Sequence, residues 1–256
     1  MIKISIVTLT YNRSKKLKKN ISSVLNQNLH NIEHIIVDNL SNDETENLVT
    51  EYKSKANYPV IYIREKDSGI YNAMNKGIKV STGVWVHTLN SDDYYYSGES
   101  LSSLNLGDNE EYDVIANAIL IKNEKTGSIF SKWVPDYNKE FNHYNFPHSG
   151  MIIKKTFYEK YGYYNEKYRI LSDSMYCMKF MPFAKYKIIE DPLVVMLDSG
   201  ISNKFSFRKS RELMIFNLCY YRGPLKYRLK FILKNLYLDI KAISKIILRK
   251  LIFSKK

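Results

Sequence analysis

The first hundred residues alternate between short apolar runs and longer segments in which apolar residues recur every three or four positions. Continuous apolar runs of this length are typical of strands buried on both faces of a sheet. Four such runs occur, and they are KISIVTL, IEHIIVDN, VIYIRE and GVWVHTLN. Helical periodicity separates them over Ser14–Leu25, from Ser41 to about Lys53 and over Ile70–Lys79. The alternation predicts βαβ units, and therefore an α/β fold whose mainly parallel sheet carries helices on both faces.

The second of these helices has a start signal of its own. Glu44 follows Ser41 at the spacing of a capping box, in which each side chain accepts a hydrogen bond from the other residue's backbone N–H. We therefore expect this helix to open at Ser41.

The pattern changes after about residue 107. YDVIANAILIKN and GSIFSKWV predict two strands joined by a turn at Lys125–Gly127. YRILSDSMYCMKF has apolar positions that continue through Met178 and Met181, which indicates a helix, and YKIIE and LVVML predict a final strand pair. We expect this mixed half to extend the same sheet at its edge.

A polar cluster follows each of the four predicted strands. The clusters are TYNR, DNLS, EKDSG and NSDD. Because ligands of such sheets bind at the carboxyl ends of the strands, we expect the clusters to share one rim. The adjacent carboxylates of Asp92 and Asp93 suit a hard divalent cation that also binds water and phosphate oxygens, although a plain polar turn is the alternative. Lys76, on the third helix, would meet either a phosphate or a nearby carboxylate.

In their order along the chain, SIVTLTYNR, IIVDNLSNDET and EKDSGIYNAMNKGIKVSTGVWVHTLNSDD resemble the inverting glycosyltransferases of family 2, which have the GT-A fold. The resemblance is dense over residues 2–95 and looser over 112–203. It implies transfer of a sugar from a nucleotide-sugar donor, taken as UDP-linked, to a saccharide hydroxyl in surface-polysaccharide synthesis. It also implies Mn²⁺ or Mg²⁺ as cofactor, because a cation on the diphosphate stabilises the leaving group as a Lewis acid.

The resemblance also assigns roles to individual residues. Asp93 and Asp92 would bind the metal, and Asp92 would also lie near the ribose. Asp173 would be the general base that deprotonates the acceptor hydroxyl, unless it or Ser172 only caps a helix. His148 would touch the sugar or a phosphate, unless it is simply hydrogen-bonded within the fold. The nucleotide pocket would be completed by Thr8, Tyr11, Arg13, Asp38, Asp67, Asn75 and Lys76.

Charge is distributed unevenly along the chain. The net charge is +13, and residues 204–256 hold fifteen Lys and Arg against two acids, so residues 1–203 are neutral with 24 of each sign. After Gly223–Pro224, leucines and isoleucines over 225–251 recur at three- and four-residue steps, with lysines on the other faces. Such a helix either packs on the domain with a solvated basic face or lies in the interface of an anionic membrane. We expect the membrane, which suits a lipid-linked acceptor.

These features predict a catalytic domain over 1–203, with a nucleotide-sugar-binding half (1–107) and an acceptor-binding half (108–203), and a basic helical extension over 204–256. Two cysteines in no metal or redox spacing, no signal peptide and no apolar run of spanning length predict a cytoplasmic protein, peripheral on the inner face of the cell membrane.

Two other classes of protein fit the sequence less well. A nucleotidyltransferase acting on sugar phosphates would open with a glycine-rich loop, and TLTYNR contains no glycine. A nucleic-acid-binding protein would place its basic residues in a groove with interleaved aromatics. Here the excess charge lies on one helix whose other face is aliphatic, so nucleic acid is not an expected partner.

Overall fold

A computed structural model describes residues 3–138, 143–198, 200, 206–220, 224–226, 228–230, 232–233, 236–237, 240–241 and 244. Nine strands form one sheet, eight of them in a continuous row and the ninth paired on β6. The row runs β3 (Val60–Arg64), β2 (Ile32–Asp38), β1 (Ile4–Thr10), β4 (Trp85–Thr88), β10 (Met151–Lys154), β6 (Val114–Lys122), β11 (Tyr186–Leu197) and β5 (Tyr94–Tyr95), with β7 (Ile129–Trp133) on β6. β8 (Asp136–Asn138) and β9 (His143–Asn145) form a separate ribbon.

The sheet is mainly parallel, as the strand–helix alternation predicts. β3, β2, β1 and β4 run parallel, β10 lies antiparallel between β4 and β6, and β11 runs parallel to β6. The second half of the chain therefore extends the sheet from β4. The predicted strand pair over YKIIE and LVVML is wrong, because 186–197 is one strand with register shifts around Pro192. A proline has no N–H to give to the ladder, so the strand bulges there instead of reversing.

Helices cover both faces of this sheet. They are α1 (Ser14–Leu25), α2 (Thr45–Lys55), α3 (Ile70–Val80), α4 (Lys155–Tyr161), α5 (Ser172–Phe180) and α6 (Phe207–Ile215), which continues as a π-helix over Phe216–Tyr220. Alternate residues of β2 show the two layers. Ile36 packs in a buried cluster with residues of α1 and α2, whereas Ile35 and Val37 pack with residues of α3.

α3 approaches β1 closely. A Cβ at Gly77 would lie 2.3 Å from Cγ1 of Val7, so a glycine is needed at this crossing. In a βαβ unit the helix runs back along its strands, which places its N-terminus at the carboxyl ends of the strands. The crossing thus fixes the start of α3 beside the predicted rim.

The predicted capping box of α2 is wrong. The helix begins at Thr45, with no side-chain capping bond at its start within the described chain. Ser41 instead accepts the N–H of Asn12 and donates its hydroxyl to Asp38. Asp43 accepts from both the N–H and the hydroxyl of Thr45. Bonds to the neighbouring strand-end residues thus occupy Ser41, the residue that the sequence pattern assigns to the cap.

The first part of the predicted extension packs on the catalytic body, since Phe216 and Tyr220 contact the buried cluster that includes α5. The described residues beyond it are helical, and five of their apolar side chains are 45% to 66% exposed. These are Leu225, Leu229, Leu233, Leu236 and Ile240. Over the described residues, no helix is both long and apolar enough to span a membrane. The predicted break at Gly223 and the last twelve residues, 245–256, lie outside the described residues.

Candidate active site

The carboxyl ends of β1, β2, β3 and β4 meet at one rim, as their order in the sheet predicts. Nη1 of Arg13, after β1, lies 3.0 Å from Oδ2 of Asp92, after β4, although the two residues are 79 positions apart. The N–H of Asp67, after β3, donates to Oδ1 of Asn39, after β2, at 2.9 Å. The polar clusters that follow the four strands are therefore linked by side-chain contacts.

The two adjacent carboxylates differ in exposure. Asp93 is 2% exposed and accepts the hydroxyl of Ser149 at 2.7 Å. The side chain of Asp92 is 17% exposed and pairs with Arg13. Burial, and after it the charge of Asp92, raises the pKa of Asp93 to about 7. A cation beside the two carboxylates would offset this repulsion.

The two carboxylates fit a divalent cation that takes its remaining ligands from water and substrate phosphates. Among the described residues, no three His, Cys, Asp or Glu side chains come together as a ligand set. Mg²⁺ and similar cations are commonly held by one or two carboxylates, with waters and substrate phosphates completing the shell. Asp92 and Asp93 fit that arrangement, and Asp92 is the more accessible of the two.

Two of the predicted nucleotide-binding side chains are turned into the protein. Thr8 is fully buried on the α1 face of β1, and its hydroxyl lies 2.8 Å from Nε2 of His34. Asp38 is also fully buried, and it accepts from the N–H and hydroxyl of Ser41 and, at 2.7 Å, from the hydroxyl of Tyr62. Both side chains are engaged inside the fold rather than presented at the rim.

Two predicted residues of α3 have partners within the protein as well. Asn75 is buried, and its amide bonds both the N–H and the carbonyl of Tyr164 and one carboxylate oxygen of Glu166. Nζ of Lys76 lies 2.8 Å from Oε1 of Glu65 and also donates to a backbone carbonyl. Of the two partners predicted for Lys76, the nearby carboxylate is the one observed.

Other groups remain accessible at the β1–β3 side of the rim. Tyr11, directly after β1, is 55% exposed. Asp67 accepts the N–H of Gly69 at 2.9 Å, and partial burial raises the pKa of its carboxyl group. Together with Asn39, these residues offer a ring and polar groups for a ligand.

Arg169 is a candidate functional residue that the sequence analysis missed. A Cβ at Gly69 would lie 1.6 Å from Nη1 of Arg169, so the guanidinium lies directly over this glycine. Gly69 also has a φ of 145°, which L-residues rarely adopt. The guanidinium charge acts on Asp67, where it opposes the rise in pKa that burial causes. The only signal in the sequence was the glycine before α3, which did not identify its partner.

Asp173 lies in the first turn of α5. Its Oδ1 accepts the hydroxyl of Tyr71 at 2.9 Å and the N–H of Ser174 at 2.8 Å. The helix begins at Ser172, and no side-chain capping bond is found at this start in the described chain. Ser172 thus forms no capping bond in the described chain, whereas Asp173 satisfies one N–H of the first helical turn as well as the hydroxyl of Tyr71.

His148 is held at the end of β4. Its Nε2 is 2.8 Å from the hydroxyl of Thr88, at the end of β4, and the next residue, Ser149, bonds Asp93. Nδ1 is buried and has no hydrogen-bond partner within the described part of the chain. Burial lowers the pKa of His148, and the charge of Asp173 opposes this. The ring is thus fixed at the end of β4, close enough to Asp173 for the charge of that carboxylate to act on it.

Comparison with solved structures identifies the class of fold. S. aureus TarS 1–349 in complex with UDP-GlcNAc superposes with a TM-score of 0.65 over 91% of this chain and 71% of that chain, at 18% identity. The mannosyltransferase PcManGT from Pyrobaculum calidifontis, in complex with GDP-Man and Mn²⁺, gives 0.62 over 91% and 68%, at 14% identity. The fold is the GT-A fold of glycosyltransferases.

Sequence comparison then gives the family. The profile of glycosyl transferase family 2 matches residues 5–186, and the chain belongs to this family of transferases. A PGL/p-HBAD biosynthesis glycosyltransferase of Mycobacterium bovis is 27% identical over 173 residues, 66% of each chain. An uncharacterized glycosyltransferase of Rickettsia prowazekii is 30% identical over 69% of this chain and 58% of its own length. The minor teichoic acid biosynthesis protein GgaB of Bacillus subtilis is 30% identical over 48% of this chain and 14% of its own. The matches thus span just under two thirds, or less, of these relatives.

Proposed function

We propose that this protein transfers a sugar from a nucleotide-sugar donor, UDP-linked, to a hydroxyl of a saccharide acceptor in cell-surface glycan biosynthesis, with inversion at the anomeric carbon. The observation that carries the proposal is that Asp92, Arg13 and Asp67 meet at the strand-end rim while Asp173, held by Tyr71, lies at the α5 side. Relatives named for PGL/p-HBAD and teichoic acid biosynthesis support the pathway class. Neighbours solved with UDP-GlcNAc and GDP-Man support the donor class.

The donor base is proposed to bind at the β1–β3 side of the rim. Tyr11 offers an exposed ring for stacking, and Asn39 and Asp67 offer polar groups for the base edge. Thr8 and Asp38 take no part in these contacts, because both side chains are fully buried and hydrogen-bonded within the fold. Asn75 and Lys76 are assigned to holding the surroundings of α3 for the same reason.

The diphosphate is proposed to lie beside the two guanidinium groups of the rim. Arg13 and Arg169 carry fixed positive charge close to Asp92 and Asp67 respectively. Asp92, backed by Asp93, would hold Mn²⁺ or Mg²⁺ there, and the bound cation would supply Lewis-acid stabilisation of the departing diphosphate. Guanidinium groups stabilise the same developing charge, because they donate to phosphate oxygens in a fixed geometry.

The acceptor is proposed to bind at the α5 side. Asp173 takes the proton from the attacking hydroxyl as general base, while the bonds from Tyr71 and Ser174 hold its Oδ1 in place. His148 is the proposed contact for the acceptor or donor sugar, because its half-buried ring is held at the end of β4, next to the residue that bonds Asp93. Both groups belong to the proposed acceptor-binding half, 108–203.

The proposed acceptor is lipid-linked, and the extension is the proposed contact with an anionic membrane. The described leucines of the helix after residue 224 are exposed rather than packed on the body, which favours the membrane over the packed alternative. Lys226, Lys230 and Lys241 are exposed on the same helix. An apolar face flanked by lysines fits an interfacial helix. The protein would then be peripheral on the inner face of the cell membrane.

The test compares two aspartate variants with a matched control. Purified protein is first screened for transfer from UDP-, GDP- and dTDP-sugars with Mn²⁺. Asp173→Asn is expected to bind UDP normally by calorimetry but to transfer about 10²- to 10⁴-fold more slowly. Asp92→Asn is expected to lose the gain in UDP affinity that Mn²⁺ gives the wild type, and EDTA should remove that gain from the wild type too. Asp108→Asn, the same change at an exposed aspartate, serves as the control.

Two outcomes would contradict the proposal. Transfer by Asp173→Asn at the wild-type rate would rule out its role as the base. Failure of the wild type to bind or turn over any nucleotide sugar would rule out the activity itself.

A further inference from the structure

One buried carboxylate has no part in the function proposed above. Glu212, in α6, is 4% exposed and is one of two acidic residues after Lys204. Its carboxylate accepts three consecutive backbone N–H groups, from Arg169 at 2.8 Å, Ile170 at 2.9 Å and Leu171 at 3.0 Å. Bonds to a charged acceptor are stronger than bonds between neutral groups, and burial increases this difference.

The segment that Glu212 holds leads directly into the candidate active site. The first of its residues, Arg169, carries the guanidinium that lies over Gly69. The carbonyl of the second, Ile170, accepts the hydroxyl of Tyr71 at 2.8 Å, the same hydroxyl that bonds Asp173. The third residue directly precedes α5. Each of the three N–H bonds therefore fixes a residue that contacts or adjoins a proposed functional group.

We propose that Glu212 is a positioning residue for the transfer reaction: from the extension, it fixes residues 169–171 and, through them, the base Asp173 and the cation Arg169. The inference rests on the proposed function, since it takes Asp173 as the base. A carboxylate that only anchored α6 would affect stability without affecting the reaction, whereas a positioning carboxylate affects the rate of transfer in protein that is still folded.

The same contacts give the extension a role apart from the membrane. α6 and its π-helical continuation pack on the body, and Arg228 of the following helix donates to the carbonyls of Asn217 and Leu218 at the end of this continuation. Transfer to a soluble acceptor should therefore depend on Glu212 even where no membrane is present.

The experiment uses Glu212→Gln and Glu212→Ala in the full chain. The glutamine has one acceptor oxygen and turns an NH₂ group toward backbone N–H groups, so it satisfies at most two of the three donors. The alanine satisfies none. We expect kcat for a soluble acceptor to fall about tenfold in the first variant and about 100-fold in the second, as small displacements of catalytic groups do. The KM for the donor and the UDP affinity, to which Arg169 contributes, should change by a smaller factor than kcat in both variants.

Hydrogen exchange provides a readout of the segment itself. The amides of residues 169–171 should exchange faster in both variants, and faster in the alanine than in the glutamine. Glu110→Gln, at an exposed glutamate, is the matched control and should leave kcat and exchange unchanged.

The outcomes separate this inference from the proposed function. If Glu212→Ala is folded, binds UDP and transfers with the wild-type kcat, the positioning role is wrong, although inactive Asp173→Asn would leave the base assignment intact. If Asp173→Asn transfers normally, the base assignment fails first and the positioning role fails with it. If the alanine variant does not fold, Glu212→Gln decides, because an unchanged kcat with faster exchange at 169–171 overturns the inference.

Discussion

At the scale of single residues, buried histidines beneath the rim determine how the fold responds to acid. Nε2 of His34 lies 2.8 Å from the hydroxyl of Thr8, and Nδ1 lies 2.8 Å from the hydroxyl of Tyr52. Burial lowers the pKa of His34 to about 3 and that of His87 to about 4. Both rings are therefore neutral in the folded protein at pH values where an unfolded histidine is protonated.

The first prediction follows from this difference. Below the unfolded pKa of about 6.5, the unfolded chain binds one more proton per buried ring than the folded protein does. The free energy of unfolding therefore keeps its full value above that pH. It falls by about 1.4 kcal/mol per pH unit per ring as the pH drops below it. His34→Gln should be less stable than wild type at about pH 7, because it loses buried hydrogen bonds. Its free energy of unfolding should then fall less steeply toward about pH 4.5.

Urea denaturation over this pH range measures both slopes. The raised pKa of Asp93 acts in the opposite direction between its unfolded value and about 7, but it is common to both proteins and cancels in the comparison. His30→Gln removes an exposed ring and is the control. Parallel pH curves for wild type and His34→Gln would contradict a neutral buried His34.

The direction of each side chain determines which residues of the rim face a ligand, and the sequence alone does not give that direction. Asp38 and Asn39 both belong to the polar cluster after β2, yet the carboxylate of Asp38 is bonded to Ser41 and Tyr62 whereas Asn39 reaches Asp67. Successive strand residues point to opposite sides, and at the strand end the following turn decides which of them reaches a ligand. The pattern predicts the cluster, but the choice within it depends on contacts that only the fold supplies.

At the scale of the elements, the crossing of α3 over β1 connects packing to the donor side of the rim. The helix carries Gly69 at its start, two residues after Asp67, and lies against β1 at Gly77. Since Cγ1 of Val7 would lie 2.3 Å from a new Cβ at Gly77, any larger residue must push the helix away from the strand.

The second prediction concerns this crossing. Gly77→Ala should destabilise the fold by about 1–3 kcal/mol through overpacking, and the better helix propensity of alanine should offset roughly 1 kcal/mol of this loss. The variant should also bind UDP more weakly, because the start of α3 is displaced. Val7→Ala removes the clashing methyl groups and leaves a small cavity. The double variant should therefore lose less stability than the two single variants together. Urea denaturation and calorimetry measure both quantities, and strict additivity would contradict a contact between the two sites.

Elements with strong local periodicity could be predicted from the sequence, and elements set by distant partners could not. The four strands and three helices of the first hundred residues appear as predicted because their apolar faces match the strand and helix periods. The capping box failed because Ser41 bonds Asn12 and Asp38 instead. Glu212 carried no local signal of its role, since its three partners lie 41 to 43 residues earlier in the chain.

At the scale of the whole molecule, the proposed basic extension of the neutral body has two distinct parts. Residues 206–220 dock on the body and hold the segment before Asp173. The described residues after 224 present exposed leucines and lysines instead. The two parts can be tested separately. Changing the first part should lower the rate of transfer to any acceptor, whereas changing the second should lower only the rate of transfer to an acceptor held at a membrane.

The last prediction tests this division. Wild-type protein should sediment with vesicles that contain anionic lipid and not with neutral vesicles, and the binding should weaken with added salt as the surface charge is screened. Leu229→Asp with Leu233→Asp should reduce vesicle affinity at least about tenfold, because each leucine contributes about 1.5–3 kcal/mol when buried. These side chains are 50% and 64% exposed, so the fold should tolerate the change. Val80→Asp with Val84→Asp, at exposed valines of the body, is the matched control.

The same double leucine variant keeps Glu212 and its three bonds, and should therefore transfer at the wild-type rate to a soluble acceptor. With a lipid-linked acceptor in anionic vesicles, its rate should fall in proportion to the lost binding, since fewer molecules are held at the surface where the acceptor lies. An equal loss with both acceptors would contradict the division, because it would mean that the exposed helix also supports the active site. Unchanged sedimentation would show that these leucines do not contact the membrane.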